Sequence, residues 1–289
     1  MKRREFIRCG AAAAVGGALA RFPHHLYAGA TPKRAQDAVT LGRTGIRVSR
    51  LAQGTGTHGV NKSSNQIRGL GDQGLADLLV AGVANGLNFW DLADQYGSHP
   101  HAKLALKTVP RDKVVILTKT HAATEKDMRE DLDRFRTETG TDYLDIVLLH
   151  CMLDANWPAE RAGAMTVLAE AKQKGIIRAH GVSCHDLGAM KTAAASEWVD
   201  VDLARLNPAG LIMDGSPDTI VSVLRTMKQK GKGVIGMKIL GEGRLRDRAD
   251  EALQFALAQD CLDAFTIGAE NQREMEDLLR RIPTASTRG

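Results

Sequence analysis

Residues 114–150 read VVILTKTHAATEKDMREDLDRFRTETGTDYLDIVLLH, and this stretch decides the fold. An apolar run at 114–118 predicts a buried strand, and a charged segment with helical spacing at 124–138 predicts an amphipathic helix. A second apolar run at 143–149 predicts another buried strand. Two buried strands separated by a helix are typical of a parallel pair joined by a right-handed crossover.

The same alternation of strand and helix continues in both directions from this stretch. The other predicted strands lie at 51–56, 87–92, 176–183, 199–206, 234–239 and 264–267. Helices are predicted at 73–86, 99–108, 158–174, 186–196, 216–230, 246–259 and 271–281, and a hairpin with strands at 39–41 and 46–48 precedes the first unit. Eight strand–helix units in about 250 residues predict an α/β protein. The predicted fold is a single (β/α)8 TIM barrel over residues 37–283, with an N-terminal β-hairpin and a tail at 284–289.

An open, doubly wound sheet is the alternative fold for alternating strands and helices. Such a sheet places a Gly-x-Gly-x-x-Gly turn between its first strand and its first helix. Residues 54–59, GTGTHG, have this spacing, but no helix is predicted to begin directly after them. The number of strand–helix units therefore favours the closed barrel.

The composition is that of a soluble globular protein, because 43% of the 289 residues are hydrophobic and 25% are charged. The formal net charge of +5 does not indicate nucleic-acid binding. Five positive charges and one negative charge lie within residues 1–21, so the rest of the chain is close to neutral. The four cysteines and the histidines show no metal-ligand spacing, so we expect no metal site.

The first thirty residues have the order of an export signal. Residues 2–8 carry paired arginines, residues 9–20 are small or apolar without charge, and small-x-small sequences occur at 18–20 and 28–30. The apolar run is too short for a permanent membrane span. This order resembles a twin-arginine (Tat) signal peptide at residues 1–30, which predicts the Tat machinery as a partner, a periplasmic location and no stable span after processing. A disordered basic tail is the alternative interpretation.

Polar side chains follow the ends of consecutive predicted strands. Asp91 ends the second strand, and Lys119 and His150 follow the third and fourth strands. Tyr96 lies five residues beyond Asp91. Active sites of (β/α)8 barrels form at the carboxyl ends of the strands. Any one of these residues could be structural, but four in succession predict an active site.

This set of side chains suits the reduction of a carbonyl group. A phenol has an ordinary pKa near 10, and a neighbouring ammonium favours the phenolate and lowers that pKa. A carboxylate beside the lysine keeps the lysine charged and oriented. We therefore predict that Tyr96 donates a proton, that Lys119 acidifies it, and that His150 hydrogen-bonds the substrate oxygen.

The same residues lie in segments that resemble the aldo-keto reductase family. Residues 88–97, NFWDLADQYG, are similar to the family's Asp-x-Ala-x-x-Tyr-Gly signature. Residues 117–119, 142–150 and 175–183 resemble its strands that end in lysine, histidine and serine, and residues 41–49 resemble its opening hairpin. Together these segments span most of residues 38–280 in the order of the family.

The resemblance implies an NAD(P)-dependent oxidoreductase that interconverts a carbonyl and an alcohol on a small carbonyl or sugar-like substrate. It implies that Tyr96 is the general acid in reduction and the general base in oxidation. The nucleotide would extend across the barrel mouth, with Ser183 on the nicotinamide carboxamide and residues 266–271 at the adenosine end. The positions carried over as cofactor-binding are Gly56, Ser183, Cys184, Asn207, Met237, Lys238, Gly268 and Glu270.

The chain departs from the family pattern at several nucleotide positions. Cys184 stands where the family usually has Asn, residues 203–207 contain no evident carboxamide-binding Gln, and Met237 and Lys238 replace an aromatic residue. Near Glu270 the family often has a cation for the 2′-phosphate of NADP. A carboxylate would repel that phosphate and could accept a hydrogen bond from a 2′-hydroxyl, which favours NAD over NADP.

Two other functions are alternatives to this enzyme. The altered nicotinamide positions are compatible with a non-catalytic barrel that keeps the fold as a binding protein. A barrel hydrolase or isomerase would need paired carboxylates or a set of metal ligands at the mouth. Asp91 and Asp94 are the nearby pair of carboxylates in the sequence.

Overall fold

The computed structural model describes residues 32–287. The twin-arginine signal predicted for residues 1–30 lies outside this range. The described chain begins with an antiparallel hairpin of β1 (Ala38–Thr40) and β2 (Arg47–Ser49), in which Val39 is opposite Val48. The hairpin predicted from the sequence is therefore confirmed.

Eight parallel strands close into a barrel in the order β10-β3-β4-β5-β6-β7-β8-β9. This arrangement confirms the predicted (β/α)8 TIM barrel and excludes the open sheet, since a closed barrel has no edge strands. The strands are β3 (Leu51–Gly54), β4 (Phe89–Asp91), β5 (Val115–Thr120), β6 (Leu144–Met152), β7 (Ile177–Cys184), β8 (Val201–Arg205), β9 (Gly233–Met237) and β10 (Ala264–Ile267).

Helices surround the barrel and alternate with its strands. They are α1 (Asn65–Ala84), α2 (His99–Ala105), α3 (Glu125–Thr139), α4 (Trp157–Glu160), α5 (Ala162–Gln173), α6 (Leu187–Ala195), α7 (Pro217–Gln229), α8 (Ala249–Ala258) and α9 (Gln272–Ser286). In residues 32–287, none of them combines the length and the apolar character that a membrane span requires.

The single helix predicted at 158–174 is divided into α4 and α5, and two other helices, α1 and α9, differ most from the sequence-based prediction in their bounds. Helix α1 begins at Asn65, where the Ser64 side chain accepts from the Ile67 amide, and it is kinked at Gly71, whose φ is 67°. Glycine tolerates this left-handed conformation, so the chain continues as helix on both sides of the kink. Helix α9 passes Pro283 and includes residues 284–286 of the predicted tail, because its apolar face continues to the buried Ala285.

The core has two layers. Alternate strand residues such as Val201 and Leu203 fill the barrel interior, while the opposite strand faces pack against the helices. Leu41 and Val48 of the hairpin segment belong to the interior cluster. The carboxyl ends of the strands therefore meet at one mouth, where polar residues take the place of apolar packing.

Candidate active site

The four predicted catalytic residues lie at the carboxyl ends of adjacent strands. Asp91 is the last residue of β4, Lys119 lies near the end of β5, and His150 lies near the end of β6. Tyr96 ends a 3₁₀ turn, Asp94–Tyr96, that follows β4. Because β4, β5 and β6 are neighbours in the barrel, the sequence order of these residues becomes a spatial cluster.

Lys119 and Asp91 form a buried ion pair. The ammonium donates to Oδ1 of Asp91, and it also donates to the Leu92 carbonyl at 2.8 Å. Thr266 of β10 donates to the other carboxylate oxygen at 2.8 Å. Burial acts to lower the pKa of Lys119, but Asp91 and then Tyr96 outweigh it, so the net shift is upward. Lys119 therefore stays charged at physiological pH.

The Tyr96 ring packs against Gly56 and Gly59, and Lys119 lies over its face. A Cβ atom at Gly56 would lie 2.3 Å from a ring carbon of Tyr96, and one at Gly59 would lie 2.4 Å from another. The Lys119 Nζ atom is 4.8 Å from the ring centroid. Glycine at both positions is therefore what allows the loop after β3 to close over the ring.

The net pKa shift of Tyr96 differs from the expectation based on sequence. Burial raises the pKa of Tyr96, Lys119 lowers it, and Asp91 raises it, with a net upward shift. The lysine thus has the expected effect, but loss of hydration outweighs it. Tyr96 is protonated at neutral pH in this structure, which is the form that a proton donor requires.

His150 is a neutral imidazole at the same mouth. Its ring makes an edge contact with Tyr96 at 5.7 Å between centroids and stacks on His121 at 4.7 Å. Burial, followed by the charge of Lys119, lowers the pKa of His150 to about 2. In residues 32–287 its Nδ1 atom has no hydrogen-bond partner. The ring therefore carries no charge at neutral pH.

A cavity of about 580 Å³ opens beside Asp91 and Tyr96. It extends over the ends of β9 and β10 to helix α9. Five of the predicted cofactor positions line it: Gly56, Met237, Lys238, Gly268 and Glu270. Its size is within the range of small-molecule and cofactor sites.

Three predicted cofactor positions do not line this cavity. The Ser183 hydroxyl accepts from the Cys151 amide at 2.9 Å. Asn207 is buried, donates to the Leu211 carbonyl at 2.8 Å and accepts from its amide at 3.0 Å. Asn207 therefore shapes the loop after β8, and a nucleotide role for its side chain is not supported by its position.

Cys184 faces away from the mouth, toward the helical layer. Its thiol donates to Asp202 at 3.1 Å, and both side chains are buried. Burial raises the pKa of Asp202 to about 7, while the thiol hydrogen bond acts to lower it. In the described part of the chain Oδ2 of Asp202 has no hydrogen-bond partner. The side-chain direction of Cys184 follows from strand alternation, since Ser183 takes the opposite face.

Charges of both signs line the cavity. Lys238 pairs with Glu242, and both have a left-handed backbone, with φ of 59° and 55°. Arg246 donates to the Gly243 carbonyl at 3.0 Å. Arg273 also lines the cavity. These cations could meet a diphosphate, so the residues fit a dinucleotide that extends away from Tyr96.

Sequence reasoning missed two contacts that shape the site. Thr266, which the resemblance placed at the adenosine end, instead donates to Asp91, and its position near the end of β10 could have indicated this by the strand-end rule. Asn65 donates to Oε1 of Glu270 at 2.7 Å and ties the loop after β3 to the far end of the cavity. Asn65 lies in a segment without periodicity, so no signal in the sequence pointed to it.

Comparison with known proteins gives a consistent result. Residues 53–282 match the profile described as the Aldo/keto reductase family. The fold resembles a solved structure described as an aldo-keto reductase from Pseudomonas aeruginosa, at 21% identity and a TM-score of 0.71, covering 88% of this chain and 97% of that one. It also resembles the holo form of an aldo-keto reductase from Bacillus halodurans, at 17% identity and a TM-score of 0.66, covering 85% of this chain and 90% of that one. At these identities the solved structures support the fold.

Proposed function

The chain belongs to the aldo/keto reductase family, which supports an oxidoreductase of carbonyls and alcohols, and we propose that it does this chemistry with NAD(P) and with Tyr96 as general acid and base. The observation that carries the proposal is the position of Tyr96. Its ring lies 4.8 Å from the ammonium of the buried Lys119–Asp91 pair and opens onto the cavity. A small carbonyl or sugar-like compound is the proposed substrate.

The residues at the mouth divide the work of proton transfer. Tyr96 holds the proton in reduction, because its pKa lies above the ordinary value in the free protein. Lys119 stabilises the phenolate that remains after the proton has left, and Asp91 holds the lysine in place. In oxidation the phenolate accepts the proton of the substrate alcohol. The Lys119–Asp91 pair stabilises the phenolate in both directions of the reaction.

His150 orients the substrate oxygen through a hydrogen bond and stays uncharged while it does so. With a pKa lowered to about 2, it is a neutral hydrogen-bonding group throughout the physiological range. The developing charge on the oxygen then meets two preorganised groups, the Tyr96 hydroxyl and the imidazole. Fixed groups of this kind stabilise the transition state without further reorganisation.

The cavity is the proposed site of the dinucleotide. Leu203 and Met237 are among its apolar lining residues, and Lys238, Arg246 and Arg273 are among its cationic ones. A bound nicotinamide supplies or accepts the hydride. The cationic side chains would hold the diphosphate, and the apolar side chains would exclude water.

Titration of the purified protein with NADH and NADPH, followed by nucleotide fluorescence, tests this proposal. We expect saturable binding of at least one nucleotide and its oxidation in the presence of a carbonyl compound from a panel of aldehydes, ketones and sugars. Failure to bind either nucleotide would contradict the proposal and favour a binding protein that keeps the barrel without catalysis.

Glu270 underlies a proposed preference for NAD over NADP. Its carboxylate lines the far end of the cavity and is held by Asn65 at 2.7 Å. We expect Glu270→Lys to shift the ratio of kcat/KM toward NADPH by about 10-fold, because a repulsive carboxylate becomes a cation for the 2′-phosphate. Steady-state kinetics with both nucleotides measures the ratio, and Glu270→Gln separates loss of repulsion from gain of attraction. An unchanged ratio in Glu270→Lys would sink this account of the cavity's far end.

Export through the Tat pathway is also a proposal, and it rests on residues 1–30 alone. Paired arginines, an uncharged apolar run and small-x-small sites occur in the expected order. Replacing Arg3 and Arg4 with lysine is expected to retain the protein in the cytoplasm of a Tat-competent bacterium. Cell fractionation measures this, and periplasmic protein at unchanged levels in the double variant would contradict the proposal.

A further inference from the structure

Arg134 of helix α3 binds three carboxylates, and one of them belongs to the turn that carries Tyr96. Its Nη1 atom donates to Asp94 at 2.6 Å and to Glu138 at 3.0 Å, and Nη2 donates to Asp131 at 2.6 Å. Asp131 and Glu138 lie on the same helix, whereas Asp94 lies on the turn that carries Tyr96. One guanidinium therefore connects the helical layer with the catalytic turn.

Asp94 fixes the turn that ends at Tyr96. The Gly97 amide donates to the Asp94 carbonyl at 3.1 Å, and the Asp94 carboxylate also accepts from Lys62. Burial acts to raise the pKa of Asp94, but hydrogen bonds from Arg134 and Lys62 outweigh it, and the net shift is downward. Asp94 is therefore a carboxylate at neutral pH and keeps both cations.

A second arm of the network reaches the strand that carries Lys119. Thr118 and Thr120 flank Lys119 on β5. His99 contacts the Thr118 hydroxyl at 2.6 Å through Nε2 and Glu138 at 2.8 Å through Nδ1. Thr120 donates to Asp131. The three carboxylates that bind Arg134 thus hold the residues on both sides of Lys119 as well as the turn of Tyr96.

The cluster is an ion-pair network with its own cations. The ligand atoms of Asp94, His99 and Glu138 lie within 4.8 Å of one another, which is a spacing that a metal ion could use. Arg134 and Lys62 already supply the positive charge at this place. The geometry therefore favours a bracing role over metal binding.

We infer that Arg134 is a positioning residue that, through Asp94, fixes the distance between the hydroxyl of Tyr96 and the ammonium of Lys119. The inference deepens the proposed function and rests on it, since the distance matters for catalysis only if Tyr96 transfers the proton. The physical reason is the steep distance dependence of a charge-assisted hydrogen bond. If the turn moves by a fraction of an ångström, the Tyr96 phenolate loses much of its stabilisation by Lys119.

A fluorine titration separates positioning from plain electrostatics. The chain has three tyrosines, so uniform labelling with 3,5-difluorotyrosine gives few ¹⁹F resonances, and Tyr96→Phe identifies the one at 96. Fluorine withdraws electrons from the ring, so the fluorinated phenol titrates below tyrosine. The charges and titratable groups that face this phenol are Lys119, Asp91, Cys151 and His150, and all of them are kept in the variants below.

Two variants separate the two explanations, because the expected signs agree for Arg134→Leu and are opposite for Asp94→Asn. Arg134→Leu removes a cation and Asp94→Asn removes an anion, so simple charge effects would raise the pKa at position 96 in the first and lower it in the second. Loss of positioning raises the pKa in both, by about one unit, because the phenolate loses Lys119. A lowered pKa in a folded Asp94→Asn protein overturns the inference. Arg134→Lys keeps the charge and should recover part of the shift.

A control lies on the same helix. Arg129 pairs with Glu125 and Glu170 on the exposed side, so Arg129→Gln should leave the pKa and the turnover unchanged.

In the active enzyme, Arg134→Leu should lower kcat by about 10- to 100-fold with little change in KM for the carbonyl. Turnover that depends on Tyr96 but not on Arg134 overturns the positioning role alone. Absence of any turnover in the wild type, with the fluorine shifts as expected, overturns the proposed function while the bracing of the turn stands.

Discussion

Replacing Tyr96 with phenylalanine is expected to reduce kcat for carbonyl reduction by about 10²- to 10⁴-fold. The phenylalanine ring keeps the packing against Gly56 and Gly59, so the fold and the nucleotide affinity should be preserved. Only the hydroxyl is lost, and with it the proton that the product alkoxide must receive. The buried Lys119–Asp91 pair cannot replace it, because the lysine is held by the carboxylate and by the Leu92 carbonyl.

Steady-state kinetics at saturating nucleotide, together with thermal unfolding, measures this effect. Tyr143→Phe is a matched control, since the Tyr143 ring lies 4.0 Å from the Arg111 guanidinium and outside the cavity. That variant should keep wild-type turnover. A Tyr96→Phe protein that retains more than about a tenth of the activity would show that another group donates the proton.

Replacing Asp202 with asparagine is expected to remove a pH-dependent loss of stability. Burial raises the pKa of Asp202 from 3.8 to about 7 in the folded protein, and the Cys184 thiol occupies only one of its oxygens. A raised folded pKa means that the folded state holds a proton that the unfolded state has released. This contribution to stability is fully present below about pH 4 and is lost as pH rises through about 7. The free energy of unfolding falls by about 4 kcal/mol across this change.

Asparagine does not titrate, so the variant should lack this slope. Unfolding in urea at several pH values measures the free energy of unfolding of both proteins. We expect the difference, variant minus wild type, to become more positive from pH 4 to pH 8. Asp247→Asn, an exposed residue with the same change of charge, controls for the change in net charge. A difference that stays constant with pH would show that the pKa of Asp202 is not raised in the folded protein.

The sequence by itself determined the barrel and the place where its candidate active site lies. Strand and helix periodicities are local properties, and residues 114–150 already contain two buried strands and the helix between them. Parallel strands with helical crossovers bring their carboxyl ends together, so Asp91, Lys119 and His150 had to meet at one mouth. The spacing of Tyr96 from Asp91 was also visible in the sequence, because the two are joined by a short turn.

Only the tertiary structure decided which side chains face the cavity and which charges dominate. Cys184 turns to Asp202 and Asn207 turns to its own loop, because a strand or loop side chain changes face with a shift of a single residue. The upward pKa shift of Tyr96 depends on burial, which a sequence does not record. Arg134 meets Asp94 across forty residues of chain, since contacts between a helix and a distant turn arise only when the barrel closes.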